Sequence, residues 1–246
     1  MVCDMSIKPF LKWVGGKRHL LPEIRSYVPS QASRYVEPFM GGAAVFFHLM
    51  PEKAVLNDIN AELVNCFNVV KQFPYNLIED LKKHIYSAEY YNKIRSLDRI
   101  EGGLLSLGEV ARASRFIYLN RTGFNGLYRV NSKGFFNVPI GRYENPRIVD
   151  EQALLACSEC LQSAQMTNRS FEDVLAGVEP GDFVYLDPPY IPLSETSSFT
   201  SYANAGFNAA DQVRLAQAVR DLDSRGISFL ASNSFTESVF ELYQGF

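Results

Sequence analysis

Tyr35-Val36-Glu37-Pro38-Phe39-Met40-Gly41-Gly42-Ala43-Ala44 is the stretch on which the reading of this chain turns. A short apolar run ends in an acid, a turn with two consecutive glycines follows, and residues 45–50 are apolar enough to begin a helix. Strand, glycine turn and helix open a nucleotide-binding unit: glycine lets the backbone approach a ligand closely, and the amides at the start of the helix offer free donors. The next apolar stretch, 54–57, ends in Asp58, about twenty residues past the turn, where an acid commonly holds a ribose hydroxyl.

Working outward, residues 62–71 and 74–84 have helical patterning. After Tyr90 the aromatic and charged content rises and the α/β alternation stops, apart from a helix expected over 107–119 and a following loop rich in Gly, Asn and aromatic residues. So long an irregular stretch inside a compact domain is usually functional. Alternation resumes with a helix over 150–161, a strand over 165–168, and the apolar run 183–186, which stops at Asp187-Pro188-Pro189-Tyr190 because two prolines cannot continue a central strand. A helix over 209–225, a strand over 228–231 and a helical segment over 236–243 complete the series. The expected fold is a doubly wound, mostly parallel Rossmann-like α/β sheet built from residues 1–73 and 152–246, carrying a largely helical insert over 74–151.

Hydrophobic residues at 47% and charged residues at 21% describe a globular chain, long enough at 246 residues to bury a core. No stretch approaches the roughly 18 to 20 apolar residues of a membrane helix, and the opening MVCDMSIKPF lacks the apolar centre of a signal peptide, so a cytoplasmic protein without a membrane partner is expected. Four cysteines (Cys3, Cys66, Cys157 and Cys160) are too few for a disulfide framework, and no second pair completes Cys157-x-x-Cys160 as a zinc site. His19, His48 and His84 are scattered, so no metal is expected. The net charge of −3 conceals an asymmetry: Arg112, Arg115, Arg121, Arg129, Lys133, Arg142 and Arg147 face the single acid Glu144, giving residues 112–147 a charge of +6. A basic patch on an acidic body can bind a polyanion such as nucleic acid.

In an open parallel sheet ligands lie at the carboxyl ends of the strands, so residues 37–42, Asp58 and residues 187–190 should meet in one crevice. The parts of Asp187-Pro188-Pro189-Tyr190 suit one task, making a planar aromatic amine nucleophilic without a strong base. Asp187 can accept one amine hydrogen, the Pro188 carbonyl, aimed by the fixed proline geometry, can accept the other, and Tyr190 can stack on the ring. Near the N-terminus Phe10-Leu11-Lys12-Trp13-Val14-Gly15-Gly16-Lys17 is not a P-loop, since the flanking glycine and Ser/Thr are missing, and Lys17 is expected to meet a cofactor carboxylate.

With these elements the chain resembles the adenine-specific DNA methyltransferases of the Dam and DpnII-methylase type. The likeness runs over essentially the whole sequence, with landmarks at 10–17, 36–42, 56–60, 119–143 and 185–192 continuing into Leu193-Ser194. It implies S-adenosylmethionine as cofactor, with the positions matching Trp13, Lys17, Asp58 and Asp187 at its site beside Glu37, Phe39 and Gly41 of the glycine turn. Asp187, Pro188, Pro189 and Tyr190 form the catalytic motif. The insert becomes a target-recognition region for double-stranded DNA, in which Phe124, Asn125, Leu127, Arg129, Pro139, Arg142 and Tyr143 approach the duplex, with Lys12 contributing from outside it. Most proteins of this type recognise GATC. Arg129 has the chemistry for a bidentate contact to guanine, and Asn125 could serve a base edge or a phosphate.

Two departures from the pattern stand out: Ala43 replaces the second glycine of Phe-x-Gly-x-Gly, and the chain stops at Phe246 where the family usually continues into a last hairpin of the sheet, so a sheet without that hairpin is expected. Two other readings remain open. One is methylation of a different planar amine, such as cytosine N4, an RNA base or a glutamine amide; the other is a DNA-binding protein that has kept the fold and lost turnover.

Overall fold

The computed structural model describes residues 7–17, 19–190 and 207–246. Among these, five short strands form one sheet: β1 (Arg34–Glu37), β2 (Ala54–Asn57), β3 (Ala164–Thr167), β4 (Asp182–Leu186) and β5 (Ser228–Ala231). Their order is β3-β2-β1-β4-β5 and every neighbouring pair is parallel. The doubly wound sheet read from the sequence is therefore present, parallel in all five strands, with its switch point between β1 and β4.

Strand side chains alternate between two cores, as a sheet covered on both faces requires. Tyr35, Phe183 and Tyr185 enter one cluster, while Val36, Val184 and Leu186 enter the other. The first core is closed by α1 (Leu21–Tyr27), α2 (Ala44–Leu49), α3 (Ala61–Gln72) and α7 (Glu151–Cys160), and the second by α8 (Phe171–Ala176) and α9 (Ala209–Ser224). Local chemistry starts the longer helices. Asn60 accepts from the Glu62 and Leu63 amides at the head of α3, and Asn208 with Asp211 forms a capping box on α9. A last helix, α10 (Glu237–Leu242), follows β5. Among the described residues no helix is long and apolar enough to cross a membrane.

Within 74–151, α4 (Pro74–Leu81) gives Leu77, Ile78 and Leu81 to the first core, and α6 (Glu109–Thr122) crosses α3 and adds Ala113, Phe116 and Ile117. The expected helix over 74–84 thus ends three residues early, because His84 leaves it to stack on Tyr118 at 4.5 Å between the ring centroids. A smaller cluster forms around Tyr91 and Ile94 of α5 (Ala88–Arg95), Tyr118, Leu119, Phe136 and Val138. Beyond α6 the chain makes an antiparallel finger, bridged at Gly123 with Ile140 and at Val130 with Phe136. Its tip is tied by Asn131, whose amide donates to the Phe135 carbonyl and whose own carbonyl accepts from Gly134.

Two alanine-like liberties bracket α2. Ala43 at its head has φ 51° and Met50 at its tail φ 48°, a left-handed conformation that costs a side-chain-bearing residue about 1–2 kcal/mol. At Ala43 that cost is offset by a fully buried methyl in the first core, which is how alanine serves where the family pattern has glycine. Met50 is exposed and gains little in return. Met50→Gly is therefore expected to raise stability by about 0.5 kcal/mol, the strain relief exceeding the added entropy of the unfolded chain, whereas Ala43→Val should cost more than about 2 kcal/mol. Denaturant midpoints check both, and a lower midpoint for Met50→Gly would contradict the assignment of strain.

Candidate active site

The glycine turn is shaped as much by Trp13 as by any ligand. A Cβ at Gly41, where φ is +46°, would lie 2.7 Å from the indole Nε1, and one at Gly42 would lie 2.8 Å from the Trp13 Cβ. Both glycines let the N-terminal segment lie flat on the turn. The turn's amides differ from the expectation of free donors: Gly41 donates to Asp58 Oδ2 at 3.1 Å, Met40 to the Asn57 carbonyl at 2.8 Å and Ala43 to the Met40 carbonyl at 2.6 Å. With a turn this tight, the backbone satisfies itself and leaves side chains to face the ligand.

Those side chains border a cavity of about 600 Å³ at the carboxyl ends of β1, β2 and β4. Trp13, Lys17, Glu37, Phe39, Gly41, Asp58 and all four of Asp187, Pro188, Pro189 and Tyr190 line it, so the structure brings together every residue assigned to a cofactor or catalytic role. Asp58 also accepts from the Asn60 amide at 2.9 Å, and burial, only partly offset by the Asn60 and Gly41 amides, pushes its carboxyl up to about 6. Glu37, at the end of β1, accepts from the Tyr35 hydroxyl at 2.9 Å, and burial holds it well above the usual carboxylate range.

Lys17 reaches Asp187 directly, its ammonium 2.8 Å from Oδ2 and also donating to the Gly15 carbonyl. Burial raises the Asp187 carboxyl and Lys17 offsets this in part; for Lys17 burial acts downward, and its bond to Asp187 prevails and leaves the ammonium more basic than usual. The Tyr190 ring lies 4.8 Å from the same ammonium, and its hydroxyl meets Ser232 at 2.6 Å. Gln212, held by Asn233, donates to the Pro189 carbonyl, which fixes the two-proline turn from the α9 side. Apolar walls complete the cavity. Phe39, Phe171 and Phe207 meet one another at 5.4 to 5.9 Å, and Tyr128 stacks between Phe116 and Trp13. Pro192, Leu193 and Ser194, the continuation of the second motif, lie outside the described residues.

The residues assigned to DNA gather beside this cavity. Lys12 is clamped by Asn120, which accepts from its amide and donates to its carbonyl, and its side chain crosses Gly126 and rests on the Tyr143 ring at 4.4 Å. Tyr143 donates to the Gly123 carbonyl, and the Phe124 amide donates to that of Pro139. Phe124, Asn125, Pro139 and Arg142 are exposed, with Asn125 in a left-handed conformation at φ 52°, while Leu127 packs inward on the finger's own cluster. Arg129 borders the cavity, and its Nε donates to Asn137 at 2.7 Å.

The basic segment is not the single patch that its charge implied. Arg112 pairs with Glu62 on α3, Arg121 donates to the Phe10 carbonyl, and buried Arg115 joins Asp98 while donating to the carbonyls of Ile94 and Arg95. Asp98 in turn accepts from Arg99 and from the Phe136 amide, so this ion pair ties α5 and α6 to the finger. Arg147 pairs with Asp150 at the surface. The acids that neutralise these arginines lie outside residues 112–147, which is why counting within the segment overstated its free charge.

The model of the D12 class N6 adenine-specific DNA methyltransferases matches residues 13–246. The chain belongs to that family. It is 50% identical to a type II methyltransferase of Lactococcus lactis subsp. cremoris over 98% of this chain and 86% of that protein. A type II methyltransferase of Methanocaldococcus jannaschii is 44% identical over 98% and 90% of the two chains, and a DNA adenine methylase of Vibrio cholerae is 40% identical over 97% and 85%. The protein is thus an adenine-specific DNA methyltransferase, and the cavity at the end of its sheet is where such an enzyme's acid-proline-proline turn stands opposite its glycine turn.

Several residues of the methyltransferase's site escaped the sequence reading: Tyr185, Tyr128, Asn120 and the Asp98–Arg115 pair. Only Tyr185 carried a usable signal, since it precedes Asp187 by two and so shares its face of the strand. The division of the arginines gives a direct test. Arg115→Ala should cost about 3 kcal/mol or more by stranding Asp98, while Arg142→Ala stays within about 0.5 kcal/mol. Chemical denaturation reads both, and a loss under 1 kcal/mol for Arg115→Ala would return that arginine to the surface set.

Proposed function

We propose that this methyltransferase transfers a methyl group from S-adenosylmethionine to the 6-amino group of an adenine flipped out of duplex DNA, within GATC. The observation that carries the reading is Asp187 at the end of β4, recessed in the cavity beside the switch point and held by Lys17. The cavity's chemistry fits the cofactor: an aromatic corner of Phe39, Phe171 and Phe207 for a purine, Asp58 for hydroxyls, and a polar end at Lys17 and Glu37 for an amino acid.

S-adenosylmethionine, when bound, supplies a methyl on a sulfonium centre that departs as a neutral thioether. The protein's part is to orient the amine and stabilise the charge that develops on it. Asp187 accepts one amine hydrogen and the Pro188 carbonyl the other, drawing the nitrogen lone pair out of conjugation. Tyr190 stacks on the base. The Asp187 oxygen that Lys17 does not engage can hold the proton shed after transfer, and its raised pKa suits it to that. Flipping is required because the amine cannot reach a recessed carboxylate from inside a duplex.

Asp58 serves a ribose only as the carboxylate. With its free value near 6, it is largely protonated at pH 5 and ionised at pH 7, and hydroxyl donors favour the ionised form. Affinity for S-adenosylhomocysteine should accordingly rise from pH 5 to 7 and then level, and Asp58→Asn should remove that rise; calorimetry across the range checks it, and an unchanged slope in the variant would take Asp58 out of the site.

Specificity is assigned to the finger, where Arg129 stands as the guanine reader beside Asn125. Its bond to Asn137 leaves the remaining guanidinium nitrogens to form a fork on O6 and N7. Methylation rates on GATC duplexes and every single-base variant test this. Arg129→Ala should cost roughly 1–3 kcal/mol on the cognate site and relax preference at one guanine, whereas Arg142→Ala should weaken all sequences and flatten the salt dependence. A common factor on all duplexes for Arg129→Ala would make it a backbone contact.

A further inference from the structure

Beneath Asp187 the sheet carries a second polar layer. Tyr35 stands opposite Phe183 and Val36 opposite Val184, so the next rung sets Glu37 of β1 beside Tyr185 of β4, two residues below Asp187 on the same face. Tyr185 is 1% exposed and borders the cavity, yet its hydroxyl has no hydrogen-bond partner among the described residues. The nearby Ser232 hydroxyl makes its 2.6 Å bond with Tyr190 instead. Burial, with the charges of Asp187 and Glu37, holds the phenol above its ordinary range, so it remains a neutral hydroxyl.

An unsatisfied buried hydroxyl is destabilising, and phenylalanine would fill the same space without it. What surrounds it is rich in acceptors. Glu37, Asp187 and the phenolic oxygen converge, and the cation that reaches them, Lys17, is already bonded to Asp187 and the Gly15 carbonyl. A group placed there needs several N–H donors and a positive charge, which describes a primary ammonium.

We propose that Tyr185 and Glu37 form the seat for the α-ammonium of the methyl donor's amino acid end, the ammonium donating to the Glu37 carboxylate and to the Tyr185 oxygen. Lys17 is then left for the carboxylate end, and the donor is anchored by both charges of its amino acid. The inference rests on the S-adenosylmethionine reading above.

Equilibrium binding separates the two. The probes are S-adenosylhomocysteine and its deaminated analogue, which keeps the carboxylate and lacks only the amine. In Tyr185→Phe, affinity for S-adenosylhomocysteine should fall about tenfold, as for a lost hydrogen bond to a charged group, while affinity for the deaminated analogue stays as in the wild type. Glu37→Gln should act in the same direction. The thermal midpoint of Tyr185→Phe should be equal or higher, so weaker binding cannot be traced to a damaged fold. An equal loss for both probes, or no loss for either, overturns the assignment. If the wild-type protein binds neither probe, the methyl-donor reading falls and takes this inference with it.

Discussion

Side by side at the centre of the sheet, β1 and β4 are joined by parallel pairing while the chain beyond them turns away in different directions: into the glycine turn and α2 after Glu37, and into the two-proline turn after Leu186. Everything the site does depends on that divergence. It opens the cavity, sets Glu37 and Tyr185 on its floor, and raises Asp58 and Asp187 to its rim. A slip of one residue in this pairing would turn Tyr185 and Asp187 toward the opposite core, where Val184 and Leu186 now pack. The apolar alternation of both strands therefore specifies the chemistry as well as the fold.

The cavity concentrates carboxyl groups in a setting that disfavours their charge. Burial raises Glu37, Asp58 and Asp187 together, and Lys17 is the cation placed against the last of them. A ligand that brings hydroxyls to Asp58 and a positive charge to Glu37 relieves the strain that folding leaves. The same economy of charge governs the insert, where Arg112, Arg115 and Arg121 are spent on holding α6 and the finger to the body, and DNA is left to the residues that remain exposed.

Much of this was legible before the structure. The glycine turn, Asp58 and Asp187 each follow a short apolar run, and the rule that ligands sit beyond the carboxyl ends of parallel strands brings them into one crevice. What local pattern could not supply was partnership between distant residues. Nothing near Arg115 points to Asp98 on the far side of a 3₁₀ turn, and nothing near Gly42 points to Trp13, whose indole determines why glycine is needed there. The turn amides misled for a related reason: their acceptors, Asp58 and Asn57, come from the neighbouring strand and its end. The orphaned hydroxyl of Tyr185 is invisible in sequence, because a tyrosine in a strand is ordinary until its surroundings are known.

The most direct test of the account isolates the Asp187 carboxylate from the binding surfaces around it. Asp187→Asn keeps the size of the side chain and removes its charge, and single-turnover transfer of labelled methyl to a GATC duplex in the preformed complex reads the chemical step alone. The expected result is a rate lower by about a hundredfold or more, as for loss of a preorganised electrostatic contact, with DNA affinity within about threefold of the wild type. Transfer at more than a tenth of the wild-type rate, with the label still on adenine N6, would contradict the claim that this carboxylate receives the amine.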